Sequence, residues 1–531
     1  YSFKVSALST AGESDASSVF AEMTAPAAVA GSMVFSSVTM TGMVLTWTAP
    51  SGAAPTGYIV YRDDGDSSAM PTPSIVAYDG AGSTALTAPV TGLTGGTTYT
   101  FHITALSASG VGDVSGVSSQ STSPAAPMGL SSVVQTSTSI SLSWSASVVS
   151  VGGSAVTSYK VYSNDGSSAS AALSSTAVHT TADGTTTTAT IDSLSPGLLY
   201  SFAVSAVSAA GEGEQSAVLA QSSSPGAPAT GPTSSLQTST TISLSWSAPS
   251  SDGSSGSDAT GYRLYDVSGG SAVVLYSGSS TAFEQTGLTA GASYSYEVSA
   301  VSDAGESPTT SPLVQYTAPS APTALVSSAW TTTSYQIDWV APSVAANAPA
   351  VSGYTLYERV TYEMHDVGTS GAIPDGVLQT MLSQSTDTVV VDTVAYDGRA
   401  STAVTTTLSG LTGGASTSYV VAARSSAGEG DRSSALSVST SPPAPGTLAS
   451  VLQTTSSITL SWSAPVVTTG VAVTGYNLYI DDGSSGTPDT LVTTCSGAAL
   501  DTGCSATGLD GGVTYSFKVS ALSTAGESDA S

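Results

Sequence analysis

One pattern recurs five times along this chain and leaves few folds open to it: an alternating run that closes on tryptophan. It reads MVLTW up to Trp47, SISLSW up to Trp144, TISLSW up to Trp246, SYQIDW up to Trp339 and SITLSW up to Trp462. Within it Ile140, Leu142 and Trp144 point one way, and Ser141 and Ser143 the other. A period of two is that of a strand with one face buried; a helix needs apolar residues three and four apart. The tryptophans are 97, 102, 93 and 123 residues apart, enough chain for a separate domain around each. The expected fold is all-β, in tandem units.

Two further signals follow each tryptophan in fixed order. A tyrosine opens a second alternating strand, at residues 58–61, 159–162, 262–265, 354–357 and 476–479. Three of these run into Asp-Gly, at 64–65, 165–166 and 482–483, and glycine there supplies the positive φ that tight hairpins need. Then comes a leucine, a turn and a tyrosine: Leu93 and Tyr99, Leu194 and Tyr200, Leu288 and Tyr294, Leu411 and Tyr419, Leu509 and Tyr515. The spacing is six throughout except in the fourth unit, where it is eight. A strand, an AGE-type loop and a last strand lead to a short joint rich in Pro and Ala, such as SPAAP at 123–127 or SPPAP at 441–445. Proline holds such joints extended, so the units are expected to form a semi-rigid beaded rod.

Residues 1–17, YSFKVSALSTAGESDAS, return unchanged at 515–531, an offset of 514. Carried across that offset, the next tryptophan falls 99 residues after Trp462, so one period holds five units. The expected partners are therefore further copies of the same sequence. They are joined either in one longer polypeptide or by exchange of strands between subunits. Exchange leaves one duplicated hairpin spare at every joint, which favours covalent continuity.

The Pro-rich entry, the strand tryptophan, the Gly-Tyr strand, the L-x-x-G-x-x-Y corner and the VSAxSxxGE run together resemble fibronectin type III domains. The resemblance covers all 531 residues. It implies tandem seven-stranded antiparallel sandwiches, one to each of 25–124, 125–225, 226–319, 320–445 (with an insertion) and 446–531 (lacking its last strand). Residues 1–24 read as the final two strands, F and G, of a preceding unit. It implies cores holding Trp47, Trp144, Trp246, Trp339 and Trp462, with Tyr99, Tyr200, Tyr294, Tyr419 and Tyr515 as corner tyrosines. The family's Arg-Gly-Asp adhesion signal is absent from this sequence.

Charge narrows the function. Nine Lys and Arg stand against 37 Asp and Glu, a net charge of −28. That argues against nucleic acid and anionic membrane surfaces, which call for clustered cations. No apolar run is long enough for a membrane span. The three histidines, His102, His179 and His365, fall in three different units, and no repeated nucleophile, base or carboxylate pair appears, so no catalysis is expected. Acidic turns at Asp63, Asp64 and Asp66 and at Asp481 and Asp482 either offer oxygens to Ca²⁺ or are hairpin turns with solvated carboxylates. In the longer fourth unit, Trp330 stands where sister units have Gln135, Gln237 and Gln453. Either Trp330, Tyr362 and His365 form a recognition patch, for glycans or cell-surface material, or Trp330 packs beneath the insertion. Cys495 and Cys504, alone in the chain, form a local disulfide or remain free thiols. Outward Ser141, Ser143, Ser201, Ser205, Ser243 and Ser245 carry no guarding charge. Either dense O-linked glycan on Ser and Thr covers such faces, or they pack against neighbouring chains; no Asn-x-Ser/Thr sequon is present.

The expected function is a structural segment of a large extracellular or cell-surface fibre or appendage. The alternatives are an adhesin or carbohydrate-binding array, and a spacer beside an enzyme domain elsewhere in a longer chain.

Overall fold

The alternation of Ile140, Leu142 and Trp144 with serines builds the central strand of a small sheet, and the rest of each unit is folded around it. The structure is a computed structural model. It describes all residues except 64, 66–74, 167–170, 251–257, 364–387, 468–469, 485 and 497–499, and the side chains of 362, 363 and 388 also lie outside it.

The second unit sets the pattern. Its strands are β1 (Met128–Gln135), β2 (Ile140–Ser145), β3 (Val156–Ser163), β4 (His179–Thr180), β5 (Thr188–Ile191), β6 (Leu199–Ser208), β7 (Gly211–Gln215) and β8 (Leu219–Ser222). One sheet has the order β1-β2-β5; the other has β4-β3-β6-β7, with β8 also on β6, and every pairing is antiparallel. The first, third and fourth units repeat this pair of sheets, three strands against five. The fifth has three against four among the described residues. The sole helix among the described residues is a three-residue turn, Thr493–Cys495.

Between the two sheets, Ile140, Leu142, Trp144, Tyr159, Val161, Phe202 and Val204 close a dry core. Each such side chain contributes about 1.5–3 kcal/mol by leaving water. The five tryptophans that close the recurring pattern are buried, at 3–6% exposure. Each indole meets the tyrosine that opens the next strand edge-on: Trp47 with Tyr58, Trp144 with Tyr159, Trp246 with Tyr262, Trp339 with Tyr354 and Trp462 with Tyr476.

Three sequence expectations need correction. Ser201 and Ser205 are not exposed; they are buried, at 4% and 0%. β6 lies between β3 and both β7 and β8, and the side chains of that face fold over it. Tyr294 and Tyr515 are half-buried rather than buried. Tyr419 is buried, but it is not the corner residue. It pairs with Leu436 as Phe202 pairs with Leu219, so Thr417 holds the corner place of Tyr200. The eight-residue spacing arises because Tyr419 is the inward residue two positions further on. Its hydroxyl accepts a hydrogen bond from Tyr335 Oη, at 3.0 Å.

Residues 1–24 form two short pairings, Ser2–Phe3 with Phe20–Ala21 and Leu8–Ser9 with Gly12–Glu13. Their apolar side chains are exposed, Phe3 at 54% and Val5 at 73%. In the second copy of the same sequence, the counterpart Val519 is fully buried in the fifth core.

Candidate functional site

Where one unit follows another, each places two of its loops on the end of the unit before it. The first contact joins the turn after Leu93 to the loop between β2 and β3. Ser150 N donates to Gly96 O at 3.2 Å, the hydroxyls of Thr97 and Ser150 lie 2.9 Å apart, and Thr98 Oγ1 donates to Gly152 O at 2.7 Å. Between the third and fourth units Ala345 N donates to Gly291 O at 3.0 Å. Between the fourth and fifth, a Cβ on Gly470 would fall 2.0 Å from Gly414 O. These loops touch backbone to backbone, which is why glycine and small residues occupy them. The corresponding loop of the third unit includes residues outside the described set.

The second contact uses the serine before the joint proline. Ser224 Oγ donates to Ala304 O of the third unit at 2.9 Å, and Ser441 Oγ donates to Ala525 O of the fifth at 3.1 Å. The glycine after each alanine is left-handed, with φ of +120° at Gly305 and +111° at Gly526. A Cβ on Gly305 would lie 2.8 Å from Ser224 Oγ. Beside it a hydroxyl of one unit reaches a carboxylate of the next: Ser239 Oγ donates to Asp431 Oδ2, and Thr332 Oγ1 to Asp529 Oδ2, both at 2.5 Å. In the third unit Pro308 holds the place of that acid.

A carboxylate also ties the outer face of the larger sheet. Glu212 accepts hydrogen bonds from Lys160 Nζ (2.7 Å), Tyr162 Oη (2.5 Å) and Ser205 Oγ (2.5 Å). Glu306 does the same with Arg263, Tyr265 and Ser299, and Glu527 with Asn477, Tyr479 and Ser520. Burial opposes ionisation of all three, but these hydrogen bonds outweigh it and hold their carboxyls below the ordinary carboxylate range. In the fourth unit Glu429 takes Tyr357 Oη at 2.7 Å; in the first, Val111 stands at this position.

The residues singled out in the sequence are placed as follows. Corner tyrosines accept a backbone hydrogen bond: Tyr99 from Thr94, Tyr200 from Ser195, Tyr294 from Thr289 and Tyr515 from Asp510, at 2.8–3.0 Å. Asp63 and Asp481 are not solvated turn carboxylates. Both are 4% exposed and clamp their hairpin to the neighbouring long strand, through Thr100 N at 3.2 Å and Ser516 N at 3.0 Å. Asp64 and Asp66 lie outside the described residues. Among the described residues no group of three His, Cys, Asp or Glu is placed to hold a metal. Trp330 is 46% exposed at the turn before Ser334–Val340, and residues 364–387 of the insertion lie outside the described residues. The side chain of Tyr362 and all of His365 lie outside the described residues, so no contact with Trp330 is assigned. His102 and His179 are half-buried in separate units. Cys495 and Cys504 are disulfide-bonded, with Cα atoms 5.7 Å apart. Among the described residues no helix is long and apolar enough to cross a membrane.

A family model described as fibronectin type III domain matches residues 26–121, 125–222, 226–316 and 441–531. Chitinase A1 of Niallia circulans is 35% identical over 201 residues, covering 36% of this chain and 24% of that protein. Exoglucanase B of Cellulomonas fimi is 30% identical over 269 residues, 47% of this chain and 21% of its own length. Receptor-type tyrosine-protein phosphatase F of Homo sapiens is 26% identical over 355 residues, 64% of this chain and 18% of its own length. The chain thus spans a quarter or less of the length of these relatives.

Proposed function

This chain belongs to the fibronectin type III family, and on that premise we propose that it is a structural segment of an extracellular or cell-surface fibre or appendage. Its working parts are the joints. The observation that carries this reading is their recurrence: small residues and glycines meet backbone to backbone at the joints, and beside them a hydroxyl of one unit reaches a backbone carbonyl or a carboxylate of the next. A set of independent binding modules has no need of such contacts. The net charge of −28 keeps segments of this kind apart in solution.

Further copies of the same sequence are the partners in this reading. Residues 1–17 and 515–531 are identical, yet Val5 is 73% exposed where Val519 is fully buried.

Pulling the chain end to end tests the proposal. Each sandwich should give its own force peak, releasing on the order of 300 Å of chain as about 90–100 residues extend. Extension without discrete peaks refutes a load-bearing role.

Two observations keep other readings in view. Exposed Trp330 favours a glycan-binding fourth unit, and retention of the chain on polysaccharide, lost in Trp330→Ala, supports it. The relatives named as a chitinase and an exoglucanase favour a spacer beside a catalytic domain, which the full-length reading frame would reveal.

A further inference from the structure

The fifth unit lacks a piece of core that the first, third and fourth units have. In the first, third and fourth units the strand beside the Gly-Tyr strand carries an inward tyrosine: Tyr78 opposite Val60, Tyr276 opposite Leu264 and Tyr396 opposite Leu356. Each packs on its unit's core. In the third unit this ring lies 6.0 Å from Trp246 and 5.5 Å from Phe283, which sits opposite Leu244 on the facing sheet. The tyrosine and phenylalanine thus bridge the two sheets beside the tryptophan.

In the fifth unit, as in the second, that strand is two residues long, Thr490–Leu491 and His179–Thr180, against six in the first and third units and eleven in the fourth. The sequence Tyr-Asp-Gly at 78–80 and 396–398, and Tyr-Ser-Gly at 276–278, becomes Cys-Ser-Gly at 495–497. Opposite Leu460, at the place of Phe283, stands Cys504. The disulfide between them packs on a core of six buried residues that includes Trp462. A slot of about 90 Å³ remains there, lined by Trp462, Tyr476, Cys495 and Cys504 among others.

We propose that the disulfide fills in the fifth core the place that the aromatic pair Tyr276 and Phe283 fills in the third, as its lid, so that this unit is the redox-dependent link of the array. A dithiol reductant opens it. One thiolate attacks a cystine sulfur to give a mixed disulfide, and the second thiolate displaces the protein sulfur. Two electrons and two protons pass to Cys495 and Cys504 as thiols, and the reductant leaves as a cyclic disulfide. The slot over Trp462 then widens, while the other four cores hold no disulfide to lose.

The experiment is hydrogen exchange on the full 531-residue chain with and without dithiothreitol. Reduction should speed exchange in residues 457–463 and 475–480 at least tenfold and leave 140–145 and 242–245 unchanged. Cys495→Tyr with Cys504→Phe should restore slow exchange and make it indifferent to reductant. Cys495→Ser with Cys504→Ser should exchange fast in both conditions. If reduction leaves the fifth unit unchanged, the proposal fails. If the Tyr and Phe variant exchanges as fast as the Ser pair, the disulfide acts only as a cross-link, which also overturns it. The reverse exchange guards against a misfolded variant: Tyr276→Cys with Phe283→Cys in the third unit should lose 2 Da on oxidation and make residues 242–245 sensitive to dithiothreitol. Failure to oxidise there counts against equivalence of the two sites.

Discussion

Gly153 offers a direct test of the joint between the first and second units. It is not among the left-handed glycines, so its backbone tolerates a side chain. Its space does not: a Cβ there would lie 2.0 Å from Gly96 O in the preceding unit. Gly153→Ala therefore leaves the second sandwich intact but pushes the two units apart. Three cross-joint hydrogen bonds are at stake, through Ser150 N, the Thr97 and Ser150 hydroxyls, and Thr98 Oγ1. At about 0.5–1.5 kcal/mol each, their loss amounts to about 1.5–4.5 kcal/mol. That corresponds to roughly a 10- to 2,000-fold change in the opening equilibrium. Hydrogen exchange reads it at the Ser150 amide, whose acceptor is Gly96 O. Exchange in residues 148–153 should rise by that factor in Gly153→Ala, while 140–145 stays protected. An unchanged rate at 148–153 would refute the packed joint.

Other outcomes follow from the same contacts. Glu212, Glu306 and Glu527 are held below the ordinary carboxylate range, so each contributes stability above its unfolded pKa of about 4.3, and the contribution fades as pH falls through the lower folded value. Denaturation curves should therefore weaken below about pH 4, and changing all three to Gln should flatten that limb; an identical acid limb in the variant sinks the assignment. Thr447 is a β-branched residue at φ +47°, where the second unit has Gly129, so Thr447→Gly should stabilise the fifth unit by about 1 kcal/mol in thermal unfolding. A loss of stability would count against backbone strain at that site. If O-linked glycan covers the serine-rich faces, the intact mass of the native protein should exceed 52.1 kDa; a mass matching the bare chain eliminates the glycan.

Strand faces were legible in the sequence because period two needs only neighbours: Ile140, Leu142 and Trp144 could be read inward from five residues of chain. What covers an outward face could not be read in this way. Ser205 looks exposed by alternation, but Glu212 and Tyr162 fold over it from two other strands. Tyr419 misled for a related reason. Counting forward from Leu411 gives eight, whereas counting back from the AGE loop shows Thr417 at the corner and Tyr419 two places on. The buried clamps at Asp63 and Asp481 were hidden too, because Asp is common in turns and nothing local marks its partner 35–37 residues away. The joints were the least legible. Ser239 and Asp431 are 192 residues apart, and their signal was a repeated acid after the AGE loop whose partner lies in another unit.

Small-angle scattering from the 531-residue chain tests most directly whether the joints lock the sandwiches into a rod. A sandwich is roughly 35 Å long at ~3.3 Å per residue plus loops, so five in line give a maximum dimension on the order of 160–190 Å. The expected curve carries a rod-like intermediate regime that persists from low to high salt. A curve of a flexible string, with a broad distance distribution and no rod-like regime, would contradict the interlocked array.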